Sequence, residues 1–444
     1  LFRSYPADFI AEGVDQTRGW FFTLHAIATM VFDSVSYKAV ISNGLVLDKN
    51  GNKMSKRLNN AVDPFTTIEK YGSDPLRWYM ITNSSPWDNL KFDVEGVEEV
   101  RRKFFGTLYN TYSFFALYAN VDGFEYKEAD VPMAERPEID RWILSVLNTL
   151  IKEVDTCYNE YEPTKAGRLI SDFVNDNLSN WYVRLNRKRF WGGEFTQDKL
   201  SAYQTLYTCL ETVAKLMAPV SPFYADRLYT DLITATGRDN VVSVHLAEFP
   251  KYQEEMIDKE LEARMQMAQD VTSMVLALRR KVNIKVRQPL QCITVPVVDE
   301  EQKAHIEAVK NLIMNEVNVK EVRFVDGAAG VLVKKVKCDF KKLGPKFGKQ
   351  MKAVAAAVAE MSQEAIGELE KNGKYTLNLD GAEAVIEASD VEIFSEDIPG
   401  WLVANEGKLT VALEVTITEE LRREGIAREL VNRIQNIRDR KSTR

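Results

Sequence analysis

The chain has 444 residues, of which 45% are hydrophobic and 28% are charged, and its formal net charge is −7. These numbers describe an ordinary soluble globular protein, long enough for roughly two to four domains rather than one. No apolar run is long enough to cross a membrane, so no membrane partner is expected, and the acidic balance argues mildly against nucleic acid unless positive charge is clustered locally.

The termini and the cysteines indicate the setting of the chain. The sequence begins with Leu rather than Met, lacks the basic and apolar segments of a secretory signal, and ends in a charged run, so we expect a fragment of a longer protein. Its cysteines, at 157, 209, 292 and 338, form neither a C-x-x-C pair nor a zinc pattern with histidine. Buried thiols in a reducing cytoplasm, and no metal site in this chain, are the expectation.

Residues 1–97 alternate strand-like and helix-like segments. Apolar runs at 7–13 and 38–48 end in Gly, Asn or Asp, which is typical of strands that lead into turns. The segment between them, 17–32, is apolar nearly all round and predicts a buried helix. This order predicts a βαβ unit with parallel strands, whose ligand site lies at the carboxyl ends of the strands.

The remainder of the chain divides into two further regions. Residues 98–250 show apolar side chains at three- and four-residue spacing, which predicts a bundle of about five helices. Over 251–444 we predict an α+β region of two small subdomains, which opens with an amphipathic helix at 253–281 and closes with an arginine-rich helix. Its strand-like runs are 290–298, 319–326, 374–380, 382–388 and 401–415.

The strongest local signal is the string Asn52-Lys53-Met54-Ser55-Lys56-Arg57. It follows a strand and lies among Asp, Asn and Gly residues, which indicates a solvated loop anchored by the sheet. Two lysines on such a loop can close over a triphosphate and stabilise the charge that develops during nucleotidyl transfer. A solvated basic turn is the alternative, and the short string alone favours it.

A second signal spans 178–191, where cations are interleaved with aromatic residues and no acid is present. The cations are Arg184, Arg187, Lys188 and Arg189, and the aromatic residues are Trp181, Tyr182, Phe190 and Trp191. Cations reach phosphates and aromatic rings stack on unpaired bases, so this segment is a candidate for binding single-stranded RNA. An aromatic core stripe beside a solvated basic face explains the aromatic residues equally well.

Several strings, in chain order, resemble class I aminoacyl-tRNA synthetases. SNGLVLDKNGNKMSKRLNNAVDP resembles their KMSKS-type loop, and TIEKYGSDPLRWYM resembles the segment that follows it. EGVDQTRGWF, DNLSNWYVRLNRKRFW and REGIARELVNRIQNIR are similar to isoleucyl enzymes in particular. The resemblance implies the C-terminal half of a Rossmann-like class I catalytic domain over 1–97, a helical-bundle anticodon-binding domain over 98–250, and an α+β C-terminal domain with tRNA contacts over 251–444.

The resemblance also implies roles for residues near the first strand. Glu12 and Asp15 match carboxylates that accept hydrogen bonds from the adenosine ribose, as acids at strand ends do in other nucleotide sites. Gly13 allows close backbone approach. Gln16 matches a position that touches both the adenylate and the aminoacyl group, and Trp20 matches a wall of the isoleucine pocket, where a flat indole suits a branched aliphatic chain.

In the loop, Lys53 and Lys56 match the two catalytic lysines, and Lys56 is the one expected to touch ATP. Met54, Ser55 and Arg57 complete the implied ATP-binding string, although Arg57 stands where the family most often has Ser. ATP with Mg²⁺ is therefore implied as a substrate. The residues implied in tRNA binding are Trp181, Arg184, Arg187, Lys188 and Arg189.

One motif of a complete class I enzyme is missing. The histidines are His25, His245 and His305, and none forms a His-x-Gly-His motif. The implied function is isoleucine–tRNA ligase, which activates L-isoleucine with ATP and transfers it to tRNA(Ile) in translation. This chain, which also lacks an editing domain, is expected to be inactive alone, and we expect a cytoplasmic monomer.

Two alternatives stay open. A valyl or leucyl enzyme has the same architecture, although EGVDQTRGWF speaks against it. A noncatalytic, synthetase-derived tRNA-binding protein would carry an ATP loop without a use for it. The basic clusters at 334–352 and in the last helix are explained equally well by tRNA backbone contacts and by solubility.

Overall fold

The protein is described by a computed structural model that covers residues 5–58, 60–297, 299–326, 333–379, 382–396, 400–407 and 409–442. The chain forms two compact units, Leu1–Lys259 and Glu260–Arg444. The first unit contains both the predicted βαβ region and the predicted helical bundle, and it ends close to the predicted boundary at 250. Within the described ranges, no helix combines the length and the apolar character that a membrane span requires.

The βαβ unit is confirmed. Strand β1 (Ala7–Gly13), helix α1 (Trp20–Phe32) and strand β2 (Tyr37–Asn43) follow one another, and the two strands pair in parallel with Gly13 opposite Asn43. Both carboxyl ends therefore lie at the same edge, as parallel pairing requires. The residues that follow β1 and β2 are the ones that this edge presents.

Helix α1 departs from the prediction that it is buried. Phe21 and Ala28 are its buried residues, whereas Phe22, Met30 and Val31 are 65%, 78% and 65% exposed. The prediction of a buried helix is wrong for this structure, because a two-stranded sheet covers only one side of a helix.

A short parallel pair and two helices complete the region before the bundle. Strand β3 (Val46–Leu47) pairs with strand β4 (Leu90–Lys91), and helices α2 (Pro64–Tyr71) and α3 (Ser73–Asn83) lie between them in the chain. The start of α2 is set locally: the carboxylate of Asp63 accepts a hydrogen bond from the backbone N–H of residue 66 at 2.9 Å, and proline occupies the first helical position.

Five helical rods form the bundle. The first runs through α4 (Val94–Val100), a π-helical turn (Arg101–Phe105) and α5 (Gly106–Asp122); the second is α6 (Glu138–Asn159); the third runs through α7 (Pro163–Asp172), a π-helical stretch (Phe173–Val183) and α8 (Arg184–Phe190); the last two are α9 (Gln197–Met217) and α10 (Pro222–Thr236). The predicted bundle is confirmed. The predicted domain boundary at 97 falls inside the first rod, so no linker separates the bundle from the preceding region at that position.

A buried carboxylate connects several of these rods. Asp140 on α6 is fully buried and accepts hydrogen bonds from both terminal nitrogens of Arg189, at 2.6 and 2.9 Å. It also accepts hydrogen bonds from the hydroxyls of Tyr182, at 2.8 Å, and Ser201, at 2.6 Å. Arg189 in turn pairs with Asp198 at 2.9 Å. The buried charge of Asp140 is tolerated because these hydrogen bonds compensate for the loss of water around the carboxylate.

The second unit is an α+β structure, as predicted. Its elements, in chain order, are α11 (Lys259–Lys281), β5 (Leu290–Val297), α12 (Glu300–Val317), β6 (Val319–Asp326), β7 (Val333–Cys338), α13 (Phe340–Phe347), α14 (Met351–Ala359), α15 (Gln363–Asn372), β8 (Lys374–Leu379), β9 (Ala382–Glu387), β10 (Val391–Glu396), β11 (Trp401–Glu406), β12 (Leu409–Glu414) and α16 (Glu419–Ser442). The order β11-β12-β5-β6 forms a four-stranded sheet in which only β5 and β6 are parallel. The pairs β7–β10 and β8–β9 enclose a separate core with α13, α14 and α15.

Two features of this unit differ from the sequence prediction. Helix α11 begins at Lys259 rather than at 253, because Asn148 and Ser145 of α6 bond the backbone N–H groups of Gln253 and Asp258, at 2.9 and 2.8 Å. Strands β7 and β10 were not predicted. The lysines of β7 conceal its alternation, in which Val336 and Cys338 are buried and the intervening side chains face outward.

A buried arginine that bonds to backbone carbonyls organises the start of the sheet. Arg279 on α11 is 1% exposed and donates to the backbone carbonyls of Lys285, Gln288 and Asn318, at 3.2, 2.9 and 3.0 Å. Burial lowers the pKa of Arg279 to about 10. Two of these carbonyls lie in the turn between α11 and β5, and the third belongs to the residue before β6, so one side chain bonds to the backbone at the entry of both strands.

We expect the Asp140→Ala substitution to lower the free energy of unfolding by about 3–5 kcal/mol, because it leaves a buried guanidinium without its main partner. The matched control is Asp198→Ala, which removes an exposed partner of the same Arg189 and should cost less than about 1 kcal/mol. Urea unfolding followed by tryptophan fluorescence measures both changes. Equal losses in the two variants would contradict a stabilising role for the buried pair.

Candidate functional site

The residues that follow β1 form a polar group at the edge of the parallel pair. The side chain of Gln16 accepts a hydrogen bond from the backbone N–H of Trp20 at 2.9 Å and donates to Asp15 at 3.0 Å. Glu12 accepts a hydrogen bond from the backbone N–H of Gly13 at 3.3 Å. Gln16 thus caps the first turn of α1 and holds Asp15, while the carboxylates of Glu12 and Asp15 remain exposed. Exposed carboxylates at a strand end are suitable acceptors for the vicinal hydroxyls of a ribose.

Trp20 lies at the first turn of α1, beside this polar group. Its side chain is 44% exposed, and its ring centroid is 5.9 Å from that of Phe21. An indole that presents a face to solvent next to a capped helix start can form one wall of an apolar pocket. The structure therefore brings together four of the residues that the sequence singled out here, together with Gly13.

The lysine loop follows β3. A tight turn reverses the chain after Asp48, with Gly51 at a φ of +86°, and Lys53 forms an isolated antiparallel bridge with Leu47. Lys53 and Arg57 are exposed. The backbone of Lys56 starts a short helical turn, Lys56–Leu58, but the side chain of Lys56 lies outside the described part of the structure.

Within the loop, Met54 and Ser55 point to the protein. Met54 packs against the buried cluster that includes Leu76, Leu90 and Phe92, and the hydroxyl of Ser55 accepts a hydrogen bond from the backbone N–H of residue 58 at 3.2 Å. The exposed side chains of Lys53 and Arg57 therefore lie on either side of two anchored ones.

The polar group after β1 and the lysine loop are held by different elements. In the ranges that the structure describes, no hydrogen bond or ion pair joins Glu12, Asp15 or Gln16 to Lys53 or Arg57. The chain also contains, among its described residues, no group of three or more His, Cys, Asp or Glu side chains placed to hold a metal ion.

Helix α3 connects the loop region to the bundle, and the sequence analysis did not identify its contacts. The hydroxyl of Tyr79 donates to the carbonyl of Lys91 on β4 at 3.2 Å and accepts from the backbone N–H of Asp93 at 3.1 Å. On its other side, Trp78 is 1% exposed, donates to the hydroxyl of Ser171 at 3.1 Å and stacks on Phe104 with ring centroids 4.4 Å apart. One helix thus contacts the base of the loop and the bundle at the same time.

Side chains bond to helix-terminal backbone groups at both ends of this connection. Thr164 and Arg168 on α7 donate to the last carbonyls of α3: Thr164 reaches residues 81 and 84 at 2.6 and 3.2 Å, and Arg168 reaches residues 82 and 83 at 2.8 and 3.0 Å. At the other end, Asp74 accepts a hydrogen bond from the backbone N–H of Tyr224, in the first turn of α10, at 2.6 Å. These bonds satisfy helix-terminal groups that would otherwise need water.

The basic helix α8 separates the cations that the sequence grouped together. Arg187 and Lys188 are exposed, and Arg184 is exposed with its guanidinium 5.9 Å from the Trp181 ring. Arg189 belongs to the buried Asp140 network, where its guanidinium is already used. We therefore leave Arg189 out of the RNA-facing surface that we propose below.

The aromatic residues of the same segment are sorted in a similar way. Trp181, Tyr182 and Phe190 are buried, at 7%, 0% and 1% exposure, whereas Trp191 is 55% exposed. The two hypotheses weighed for these rings thus apply to different members of the set: three are core residues, and Trp191 is available to a base. The surface formed by Arg184, Arg187, Lys188 and Trp191 is called the basic face from here on.

Comparison with known proteins identifies the relatives of the chain. The family described as tRNA synthetases class I (I, L, M and V) matches residues 1–93, and the family described as the anticodon-binding domain of tRNA ligase matches residues 140–294. The chain is 96% identical over 434 residues to the isoleucine–tRNA ligase of Bacteroides thetaiotaomicron. It is 70% identical over 434 residues to that of Porphyromonas gingivalis and 40% identical over 442 residues to that of Clostridium novyi.

These alignments span almost the whole chain but only part of each relative. Each covers 98% of this chain, and they cover 37%, 38% and 42% of the three ligases, in the same order. The chain therefore spans about two fifths of the length of the curated relatives that it matches.

Burial of Asp74 generates a pH-dependent prediction. Burial raises the pKa of the Asp74 carboxyl from its ordinary value of 3.8, although the Tyr224 amide and Arg77 oppose the shift. A carboxyl whose folded-state pKa is raised stabilises the fold below its unfolded pKa, and this contribution is lost as the pH rises through the raised value. We therefore expect the native chain to lose unfolding free energy relative to the Asp74→Asn variant as the pH rises above about 4 and through the raised pKa of Asp74.

Urea unfolding at several pH values measures this difference. Asp74→Asn keeps an acceptor for the Tyr224 amide, whereas Asp74→Ala leaves the start of α10 uncapped and should be less stable than Asp74→Asn by about 0.5–2 kcal/mol throughout. A difference between the native chain and the Asn variant that does not change with pH would contradict this account of Asp74.

Proposed function

Because the chain belongs to the class I aminoacyl-tRNA synthetase family, we propose that it is the loop-bearing and tRNA-reading part of an isoleucine–tRNA ligase. The reaction is the ATP-dependent activation of L-isoleucine to isoleucyl-adenylate, followed by transfer to tRNA(Ile) in translation. The observation that carries the proposal is the arrangement of the first unit: exposed acids at the end of one parallel strand, and an exposed lysine loop anchored by the adjoining short pair.

The proposed nucleotide site has two halves with different chemistry. Glu12 and Asp15 accept hydrogen bonds from the ribose hydroxyls, and Gly13 lets the adenosine approach the backbone. In the first step, a carboxylate oxygen of isoleucine attacks the α-phosphorus of ATP, and the bond to pyrophosphate breaks. Lys53 and Lys56, with Arg57 beside them, stabilise the negative charge that develops on the phosphates, more in the transition state than in the bound substrate.

The amino-acid pocket is proposed to lie beside the same strand end. Gln16 is fixed between Asp15 and the backbone of Trp20, so its amide is oriented rather than mobile, and the exposed indole of Trp20 offers an apolar wall. Mg²⁺ is proposed to accompany ATP, held mainly by the phosphates, as is usual for this ion. The exposed apolar side of α1 is proposed to be covered by the other half of a Rossmann-like fold in a protein of the relatives' length.

The helical bundle is proposed to bind the anticodon stem and loop of tRNA through the basic face. Arg187 and Lys188 are exposed and, within the described ranges, take part in no ion pair, so they can exchange solvent counterions for phosphates. We further propose tRNA contacts in the second unit, a cytoplasmic location and a monomeric state for the enzyme.

The lysine loop is tested by substitution in a protein of the relatives' length that carries this chain. We expect Lys56→Ala to reduce isoleucine-dependent ATP–pyrophosphate exchange by about 10²–10³-fold, the effect of removing one preorganised group that stabilises transition-state charge. Lys49→Ala, in the turn before the loop, is the matched control and should retain activity. Leucine and valine in place of isoleucine test the amino-acid assignment.

Two outcomes would count against the proposal: full exchange activity in Lys56→Ala, or better exchange with leucine or valine than with isoleucine. The 444-residue chain, without the His-x-Gly-His half of the site, should give no exchange above background. Activity of this chain near that of the longer protein would show that the two halves of the site are not both required.

The basic face is tested by the salt dependence of tRNA binding. The affinity of the chain for tRNA(Ile) should fall with rising salt, and the double variant Arg187→Ala, Lys188→Ala should reduce the slope of log K against log salt by about two. Arg227→Ala, an exposed arginine on α10 that pairs with Asp231, is the control and should leave the slope unchanged. A slope that is the same in all three proteins would remove the basic face from the tRNA interface.

A further inference from the structure

The hydrogen bonds of the lysine loop converge on Asn60, which lies beyond the KMSKR string. Its Oδ1 accepts a hydrogen bond from the backbone N–H of Ser55 at 2.8 Å. Its Nδ2 donates to the backbone carbonyl of Lys53 at 3.2 Å and to the carboxylate of Asp48 at 3.0 Å. One carboxamide therefore holds the loop on both sides of Met54 and ties it to the residue at which the turn begins.

Asp48 is the fixed end of this arrangement. Its carboxylate also accepts hydrogen bonds from the backbone N–H groups of Asn52 and Asn50, at 2.8 and 3.0 Å. The bonds from Asn52 and then from Asn60 lower the pKa of the Asp48 carboxyl, so it stays ionised as an acceptor at neutral pH. It follows strand β3 directly and is thus carried by the sheet.

Met54 provides the apolar contact between the two bonded backbone groups. It lines a pocket of about 150 Å³ together with residues that come from β3, α2, α3, the residue after β4 and the segment between the loop and α2. The other lining residues are Val46, Val62, Pro64, Thr67, Leu76, Met80 and Phe92. Because this lining is largely apolar, the hydrophobic effect favours the thioether inside the pocket.

We propose that Asn60 is a positioning residue for the lysine loop, with Asp48 as its anchor and Met54 as its apolar seat. The three side chains fix the backbone from Lys53 to Ser55 as a preformed turn, from which the side chain of Lys53 is exposed. Less conformational entropy is then lost when the lysines close over the phosphates of ATP than if the loop were a flexible chain. This inference rests on the proposed function in that the loop has to contact ATP.

The chemistry of the site requires a carboxamide at position 60. A carboxylate there could accept the Ser55 bond but could not donate to Lys53, and it would place a second negative charge beside Asp48. Serine has one donor and is too short to reach three partners. We therefore expect Asn60→Asp to be as disruptive as Asn60→Ala, whereas the isosteric Asn60→Asp would be nearly harmless if only the size of the side chain mattered.

The first experiment measures the loop itself in the 444-residue chain. Trypsin cleaves after lysine and arginine, so Lys53, Lys56 and Arg57 report how often the loop opens, and mass spectrometry follows each cleavage. We expect Asn60→Ala to accelerate these cleavages about tenfold, the change expected from losing one or two net hydrogen bonds. Met54→Ala should act in the same direction, and Met54→Leu should restore slow cleavage.

The matched control is Asn50→Ala. Asn50 contributes its backbone N–H rather than its side chain to the Asp48 carboxylate, so cleavage in this variant should equal that of the native chain. Cleavage at exposed sites outside the loop, for example after Lys251, should be the same in every variant. Unchanged loop cleavage in both Asn60→Ala and Asn60→Asp would overturn the proposal.

The second experiment uses the protein of the relatives' length and separates kcat from KM in ATP–pyrophosphate exchange. We expect Asn60→Ala to lower kcat about tenfold with little change in KM for isoleucine, because the lost order matters most when the loop has closed. Faster loop cleavage with unchanged kcat would overturn the positioning role. The proposed function fails separately, if Lys56→Ala keeps full exchange while the loop cleavages still respond to Asn60.

Discussion

The first unit depends on helix α3, which is bonded on one side to the strands that carry the lysine loop and on the other to the helical bundle. Trp78 stacks on Phe104 inside the bundle, Tyr79 bonds to the backbone at β4, and Arg168 donates to the carbonyls that end the helix. Gly167 belongs to the same contact, because a Cβ there would lie 2.6 Å from Thr82. Helix-terminal groups become cohesive contacts here because a neighbouring element, rather than water, satisfies them.

Through this contact, helix α3 connects the lysine loop to the helical bundle. The base of the lysine loop and the start of α10 are connected through a single helix whose ends are both bonded, so the loop region and the bundle have a fixed relation within the first unit. In the bundle, the Asp140–Arg189 pair holds the buried side of α8 against α6, while Arg187 and Lys188 on the other side face solvent.

The surface of helix α1 is apolar and exposed. Its apolar residues are exposed because the two strands beside it form too small a sheet to cover it. A helix at a solvent-facing surface is usually amphipathic, with a polar outer side. Helix α1 has an apolar outer side, which is suited to further packing.

The sequence by itself determined the elements: the βαβ order, the five rods and most strands of the second unit follow from periodicity and turn residues, which are local. It also located the lysine loop and the acids beyond β1. Only the tertiary structure decided which residues of the same type are exposed and which are bonded inside the protein. Arg187 and Arg189 are two positions apart, yet Arg187 faces solvent and Arg189 bonds to Asp140. Asn60 is an ordinary loop residue in the sequence, but in the structure its side chain bonds to three other residues. Such differences depend on hydrogen-bond partners 5 to 49 residues away in the chain. Which of these partners a side chain meets is set by packing, which the periodicity of the sequence does not encode.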